Sequence, residues 1–397
     1  MSAFKKETRQ CNYPGCSSTF ECEQRSNRTM CDEHRGKKGT GTPRVDKEKL
    51  AEKLAQEMFE ERAQAFIDQH IPLPVIPEVV LATRVEEMGF DTEQEAVALF
   101  SDLHYGSRID KRIMAGLGEY NIDIARERLA RWRTGILRFT QMSQLVIPLK
   151  TLNLFALGDD IEGHGAMFGS QALQMQTSAA FQVLGFIEDM SRILVDMLAR
   201  YEHIRVFKVP GNHGRITARA KDSYPPDNLE IMAWRNIADR ISNVTGGEWH
   251  TDDLGVECLE GGMVDFYITP SDVMFTKVLG WKHALRHGHG IGGLSRTYTG
   301  AKDNKRRLNS IIGEIVNYYV KAHLHEAESS EHEIQGEILQ NGCFVGPSQL
   351  SVFSNMATAN LPSQEFYLVH PRRGKTHHHR IHLAEVEEVR QFEWVGS

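Results

Sequence analysis

The chain has 397 residues, of which 41% are hydrophobic and 25% charged, with a formal net charge of -7. That is ample apolar material for one large core or two domains, so disorder is not the default, and the negative balance argues against a protein that coats nucleic acid by charge alone. Residues Met1 to Glu7 contain no apolar signal core, and the most apolar segments elsewhere are broken by charge within a span too short for a bilayer, so the expected setting is the cytoplasm with no membrane partner.

Four of the six cysteines fall between Cys11 and Cys31, while Cys258 and Cys343 stand alone, which suits a metal site in a reducing compartment better than a disulfide framework. Cys11 and Cys16, followed by Cys31 and His34, form two ligand pairs separated by a short loop, the spacing of a tetrahedral structural zinc site. Cys22 is a fifth candidate, and the assignment stays open among the five. Metal binding would let so short a segment fold without a core of its own, and the bland alternative is a set of free thiols in a disordered tail. Lys5, Lys6, Arg9, Arg25, Arg28, Arg35, Lys37 and Lys38 outnumber the nearby acids, so a zinc-finger-like module over residues 1–43 that grips DNA or RNA is one reading. A protein-docking module is another.

Residues 44–77 read as a helical linker. Leu50, Leu54 and Met58 recur four apart within a helix-forming stretch from Lys47 to His70, which Pro72, Pro74 and Pro77 end. From residue 78 to 397 the pattern alternates strands and helices and predicts an α/β sandwich. Apolar strand-like runs are expected at Ala96–Ser101, Leu152–Leu157, Ile204–Val209, Trp281–Arg286 and Tyr318–Lys321, with helices over Ile124–Arg138 and Phe181–Tyr201. The first of these helices carries Arg126, Arg128, Arg131, Arg133 and Arg138 opposite Leu129, Trp132 and Ile136, and its plain reading is a solvated face. Near the C-terminus, Gln364–Val369 and His378–Leu383 predict a hairpin with the basic tip Pro371–Lys375, and strand alternation would set His378 opposite His377 and His379.

Each of the five strands runs into a short polar motif: Asp102-Leu103-His104, Gly158-Asp159-Asp160-Ile161-Glu162, Gly211-Asn212-His213, His287-Gly288-His289 and Ala322-His323-Leu324-His325. Together they supply carboxylate oxygen, imidazole nitrogen and amide oxygen, a mixed hard and borderline donor set that suits Mn, Fe, Zn, Ni or Co. Cleaving a phosphate ester at neutral pH needs a strong nucleophile and neutralisation of the phosphoryl oxygens; two divalent ions about 3.5 to 4 Å apart supply both, and can lower a water's pKa towards about 7. Asp102 and His104 lie two apart, so an extended backbone would point both to one side, and Asp159 is placed to reach both ions. The bland reading, buried polar residues that happen to fall in order, has to explain five motifs at once.

These motifs resemble the calcineurin-like metallophosphoesterase superfamily, in particular its DNA-repair-exonuclease-like and phage-type members, over about Leu99 to Glu326. The resemblance implies a four-layer α/β/β/α sandwich. It also implies that Asp102, His104 and His325 hold one metal, that Asn212, His287 and His323 hold the other, and that Asp159 bridges them. His213 would then protonate the leaving oxygen. Two departures stand out. Gly214 replaces the family's acid after Gly-Asn-His, leaving Asp160 or Glu162 to orient His213, and Ala322 replaces a glycine, which is tolerable where φ is negative. His289 would line the phosphate pocket or serve the framework, and Arg215 to Gly280 is expected to shape the substrate pocket.

The implied activity is two-metal hydrolysis of phosphate esters, with manganese the expected ion pair and DNA or RNA the first substrate class. A phosphomonoesterase acting on a phosphoprotein or nucleotide is the alternative, and a non-catalytic scaffold the third reading.

Overall fold

The structure, a computed structural model, describes residues 6–13, 15–23, 31–34, 92–165, 171–217, 224–289, 298–331, 336–352 and 360–391. The chain divides into two units, Met1–Pro72 and Leu73–Ser397. The linker and helix expected over residues 36–77 lie outside the described residues. In the first unit, strands β1 (Lys6–Gln10) and β2 (Thr19–Glu23) pair antiparallel with Glu7 opposite Cys22, followed by a 3-10 turn at Asp32–His34.

The second unit is built on two sheets. Its strands are β3 (Gln94–Phe100), β4 (Leu149–Ala156), β5 (His203–Lys208), β6 (Glu248–Thr251), β7 (Glu257–Glu260), β8 (Val264–Ile268), β9 (Val273–Val278), β10 (Trp281–Arg286), β11 (Tyr318–Lys321), β12 (Glu328–Glu331), β13 (Glu337–Gln340), β14 (Ser363–His370) and β15 (Gly374–His382). The larger sheet has the order β15-β14-β3-β4-β5-β8-β7-β6, and the smaller β12-β13-β11-β10-β9. Strands β3, β4, β5 and β8 are mutually parallel, as are β10, β11 and β13, and antiparallel strands close the edges.

The parallel strands are apolar on both faces because both faces are covered. Along β3, Ala96, Ala98 and Phe100 face helices α1 (Ile122–Gln144), α2 (Ala179–Met197) and α3 (Leu229–Thr245), while Val97 and Leu99 face the second sheet. That second interface packs Phe155, Leu157, Phe207 and Val209 against Trp281, Leu285, Tyr318 and Val320. Outside the smaller sheet, Ala284, Tyr319 and Ile338 pack on Leu308 and Ile312 of α4 (Tyr298–Ile312). The layers therefore run helices, sheet, sheet, helix, the four-layer α/β/β/α arrangement expected.

Helix α1 starts where Asn121 accepts a hydrogen bond from the Ile124 N–H at 3.0 Å, and buries Leu129, Trp132 and Ile136. Of its arginines, Arg126 and Arg138 are exposed and Arg131 and Arg133 half-buried, as a solvated face would be, whereas Arg128 is buried. Arg128 is 6% exposed and donates to the carbonyls of Phe344 and Val345; Arg126 pairs with Asp189 of α2, Arg133 with Asp196, and Arg131 with Glu127 and Glu388. The C-terminal hairpin forms as expected, with Gln364 opposite Ile381. His378 sits beside Glu365, whereas His379 stacks on Phe139 at 4.1 Å and His377 is exposed. Within the stretch from Arg215 to Gly280, α3 covers the large sheet, β6 to β8 extend it, and β9 opens the small one.

Candidate metal centre

Parallel strands deliver their following loops to one end of a sheet, the place where open α/β sheets build sites. All five motifs lie there, just beyond β3, β4, β5, β10 and β11. The backbone at Asp102 and His104 is not extended as the sequence reading supposed. Both residues are left-handed, with φ of 54° and 48°, and so are Asp159 (56°), His323 (76°) and His325 (59°). Non-glycine residues rarely adopt this region, and such strain concentrates at functional sites. Five of the seven non-glycine residues in that region among those described are ligands expected from the sequence. Ala322 has no positive φ, so its methyl carries no backbone penalty.

The motif glycines have a separate cause. A Cβ on Gly158 would meet the Gly211 backbone at 2.5 Å, and one on Gly211 would meet the Asp159 nitrogen at 2.1 Å. The two loops touch backbone to backbone, which places Asp159 beside Asn212 and His213. The His213 N–H donates to Asp159 Oδ1 at 2.9 Å.

Three ligand groups converge: Asp102, His104 and His325; His104, Asp159 and His213; and Asp159, His287 and His323, with the ligand atoms of each within 4.8 Å of one another. Asp159 joins two of them. His287 Nε2 lies 3.0 Å from Asp159 Oδ2 and 3.1 Å from His323 Nδ1; His104 Nε2 lies 3.2 Å from His325 Nε2; His325 Nε2 lies 3.5 Å from Asp102 Oδ1. Ligand atoms about 2.0 to 2.2 Å from a shared cation stand roughly 3 to 3.5 Å apart, so these edges fit. Asp102 Oδ1 and Asn212 Oδ1 are buried without a hydrogen-bond partner among the described residues. A dry acceptor is costly, and a cation satisfies both. The donor set and these orphaned oxygens fit two divalent ions.

In two of the rings the outer nitrogen is tied down: His287 Nδ1 donates to the Leu157 carbonyl at 2.8 Å and His104 Nδ1 lies 3.1 Å from Glu162 Oε2, so in each it is Nε2 that faces the centre. Burial would raise the Asp159 carboxyl, but His287 and His213 outweigh it and hold the group well below the ordinary carboxylate range. Burial opposes charge on His287, and Asp159 reverses the balance and lifts the ring to about 9.

His213 faces this cluster, its Nε2 4.0 Å from Asp159 Oδ2 and its Nδ1 3.1 Å from the Glu162 carbonyl and 3.6 Å from Glu162 Oε1. Of the two substitutes named for the missing acid, the partner is Glu162, itself fixed by Gln171 at 2.7 Å. Asp160 is committed elsewhere. It accepts from Trp234 Nε1 at 2.8 Å and from Lys208 Nζ, and Lys208 also donates to Glu230 at 2.9 Å. Lys208, Asp160 and Glu230 side chains are all 0% exposed. Burial works against charge on Lys208, but the two carboxylates more than offset it and keep its ammonium above the ordinary lysine range.

Glu230 also accepts from the Gly211 N–H at 2.9 Å, while Asn228, which caps α3 through the Glu230 N–H, donates to the Gly211 carbonyl at 2.9 Å. The start of α3 therefore grips the Gly211–His213 loop. Gly214 follows from the same packing, since a Cβ there would meet Asn228 Oδ1 at 2.1 Å and Glu230 Cγ at 2.7 Å. Lys208, Glu230, Asn228 and Gln171 escaped the sequence reading. No spacing rule links them to the motifs.

His289 stands beside the centre, its ring 5.4 Å from His287 and 6.4 Å from His323, and belongs to none of the three ligand groups. Desolvation, with the His287 charge, depresses it to about 3. In the N-terminal unit the thiols of Cys11, Cys16 and Cys31 converge within 4.8 Å. Cys22 is buried but outside that group, and the His34 side chain lies outside the described residues. No helix among the described residues is long and apolar enough to cross a membrane.

No protein-family description matches the sequence, and no curated protein does. Among solved structures, the chain is similar to an archaeal phosphodiesterase (8% identity, 72% of this chain and 99% of that one, TM-score 0.31). It is also similar to zinc-complexed Vps29 from Entamoeba histolytica (12% identity, 73% and 99%, TM-score 0.26) and to a 5'-nucleotidase from Candida albicans (10% identity, 76% and 55%, TM-score 0.31). Similarity at this level carries no argument about activity.

Proposed function

We propose that this chain is a two-metal hydrolase of phosphate esters, with a phosphodiester of DNA or RNA as its first substrate class. The observation that carries the reading is Asp159, shared by two of the three ligand groups, one with His104 and His213 and one with His287 and His323. Asp102, His104 and His325 would hold one divalent ion, Asn212, His287 and His323 the other, and Asp159 would lie between them. Manganese is the first ion to test, ahead of iron, zinc, nickel and cobalt. A pair of such ions supplies Lewis acidity toward the phosphoryl oxygens and makes a water nucleophilic near neutral pH.

The protein's own part is orientation and proton delivery. His213 would donate a proton to the departing oxygen, a role supported by Nδ1 being held at the Glu162 carbonyl while Nε2 lies 4.0 Å from Asp159 Oδ2. Glu162 steadies both His213 and His104, so one carboxylate couples the proton donor to a ligand. The grip of α3 on Gly211 sets how Asn212 and His213 enter the site.

The preference for a diester rests on the motif resemblance alone. The α1 arginines give it no support, because Arg126, Arg128, Arg131 and Arg133 are engaged within the protein. The deciding assay is manganese-dependent hydrolysis of bis-p-nitrophenyl phosphate beside p-nitrophenyl phosphate, with Asp159→Asn as control. Faster diester turnover supports the reading and justifies DNA and RNA substrates; faster monoester turnover replaces it with a phosphomonoesterase; no turnover with either removes the enzyme reading.

A further inference from the structure

The N-terminal unit contains a second, chemically distinct cluster. Cys16 Sγ and Cys31 Sγ stand 3.9 Å apart. A disulfide needs about 2.05 Å. Two thiolates on one tetrahedral zinc, each about 2.3 Å from the ion, stand roughly 3.8 Å apart. The observed separation fits the edge of a zinc tetrahedron, and all six cysteines are free. Cys11 completes the triangle, and its sulfur accepts the Cys31 N–H at 3.3 Å. Backbone donors to sulfur commonly stabilise a coordinated thiolate.

The local chain is built for this convergence. The Cys11 N–H donates to the Ser18 carbonyl at 2.9 Å and the Cys16 N–H to the Tyr13 carbonyl at 3.0 Å, so residues 11–18 fold back as a knuckle at the end of the hairpin. Gly15 turns it with φ of 80°. The apolar packing is meagre: Cys11, Phe20, Cys22 and Cys31 form the cluster, with Tyr13 and Cys16 against it. A core this small rarely holds a fold without a staple.

We infer that Cys11, Cys16 and Cys31 hold a structural zinc ion and that Cys22 is a packing residue. The sequence left five candidates, and the geometry separates one of them. Cys22 faces Glu7 across the β1–β2 ladder, is buried in the hairpin's apolar face, and stands outside the thiol triangle. This inference is independent of the centre in the larger unit, whose expected ligands are carboxylate, amide and imidazole.

That difference makes the test selective. Cobalt(II) is loaded into the full-length chain, and the near-ultraviolet thiolate-to-cobalt band is read; an oxygen and nitrogen site cannot produce it. The wild type and Cys22→Ser are expected to give the same band, and Cys11→Ser, Cys16→Ser and Cys31→Ser to lose roughly a third or more of it. Because a ligand variant can fail to fold, the decision rests on wild type and Cys22→Ser. No band in the wild type, or its loss in Cys22→Ser, overturns the assignment.

Discussion

Replacing Lys208 by methionine isolates the buried charges behind the Gly211–His213 loop. One ammonium there faces two carboxylates, and none of the three side chains is exposed to solvent. At the 2.9 Å separation from Glu230, the Coulomb attraction at an effective dielectric of about 20 is about 6 kcal/mol. Desolvation of the lysine offsets part of this, and removing one partner of a buried pair costs about 3 to 5 kcal/mol. Lys208→Met should lose that much in urea unfolding followed by tryptophan fluorescence, with Trp234 as a reporter because it donates to Asp160. Replacing Asp160 and Glu230 by apolar residues as well should recover much of the stability, since an unpaired buried charge is then absent. Turnover should not recover, because Glu230 no longer holds the Gly211 N–H. A Lys208→Met protein within 1 kcal/mol of wild type, a margin below the smallest loss for a broken buried pair, would refute this account of the network.

Other changes follow from the same geometry. Asp159→Asn should remove ester turnover and lower bound metal at both positions, measured by elemental analysis after gel filtration. His213→Ala should cut kcat by about 100-fold or more with metal content unchanged; full activity would remove it from proton delivery. Gly214→Ala should cost roughly 1 to 3 kcal/mol because its Cβ would meet Asn228 Oδ1 at 2.1 Å, and an unaltered melting curve would show that the α3 cap yields freely. Burial raises the Glu365 carboxyl, but His378 and Arg380 outweigh it and hold the group below the ordinary range. Its stabilising effect is therefore full above the unfolded glutamate value and is lost as pH falls through the folded one. Glu365→Gln should flatten the acid limb of the stability profile, and an unchanged limb would mean that the pair contributes nothing.

The candidate ligands were legible in the sequence because each motif follows an apolar run. Trp281–Arg286 and Tyr318–Lys321 are strands at the expected residues, and the other three motif strands differ at their ends by a few residues. Donor chemistry at five strand ends is a local signal, and it survived folding. The left-handed backbone at Asp102 and His104 was not legible, since φ at a loop depends on what the loop must reach. Asp160 looked like a partner for His213 because it is near in sequence, but its carboxylate turns instead to Lys208 and Trp234. Lys208 ends an apolar strand and Glu230 opens an amphipathic helix, and only the tertiary packing brings them together. Arg128 of α1 was missed for a related reason: a charged side chain carries no sequence mark of whether water or protein lies opposite.

The order of strands also sets a timetable for assembly. The chain lays down β3 to β8 of the large sheet, leaves to build β9 to β13, and returns with β14, which inserts between β3 and β15 with Phe366 opposite Ala98. The early loops carry Asp102, His104, Asp159 and Asn212, whereas His287, His323 and His325 arrive on the later sheet. During synthesis, strand β3 lacks its outer neighbour until more than 260 residues have followed it. A half-made chain offers only the early ligands and exposes one side of its central strand, so competence and protection from aggregation arrive together, late, through contacts of high sequence separation.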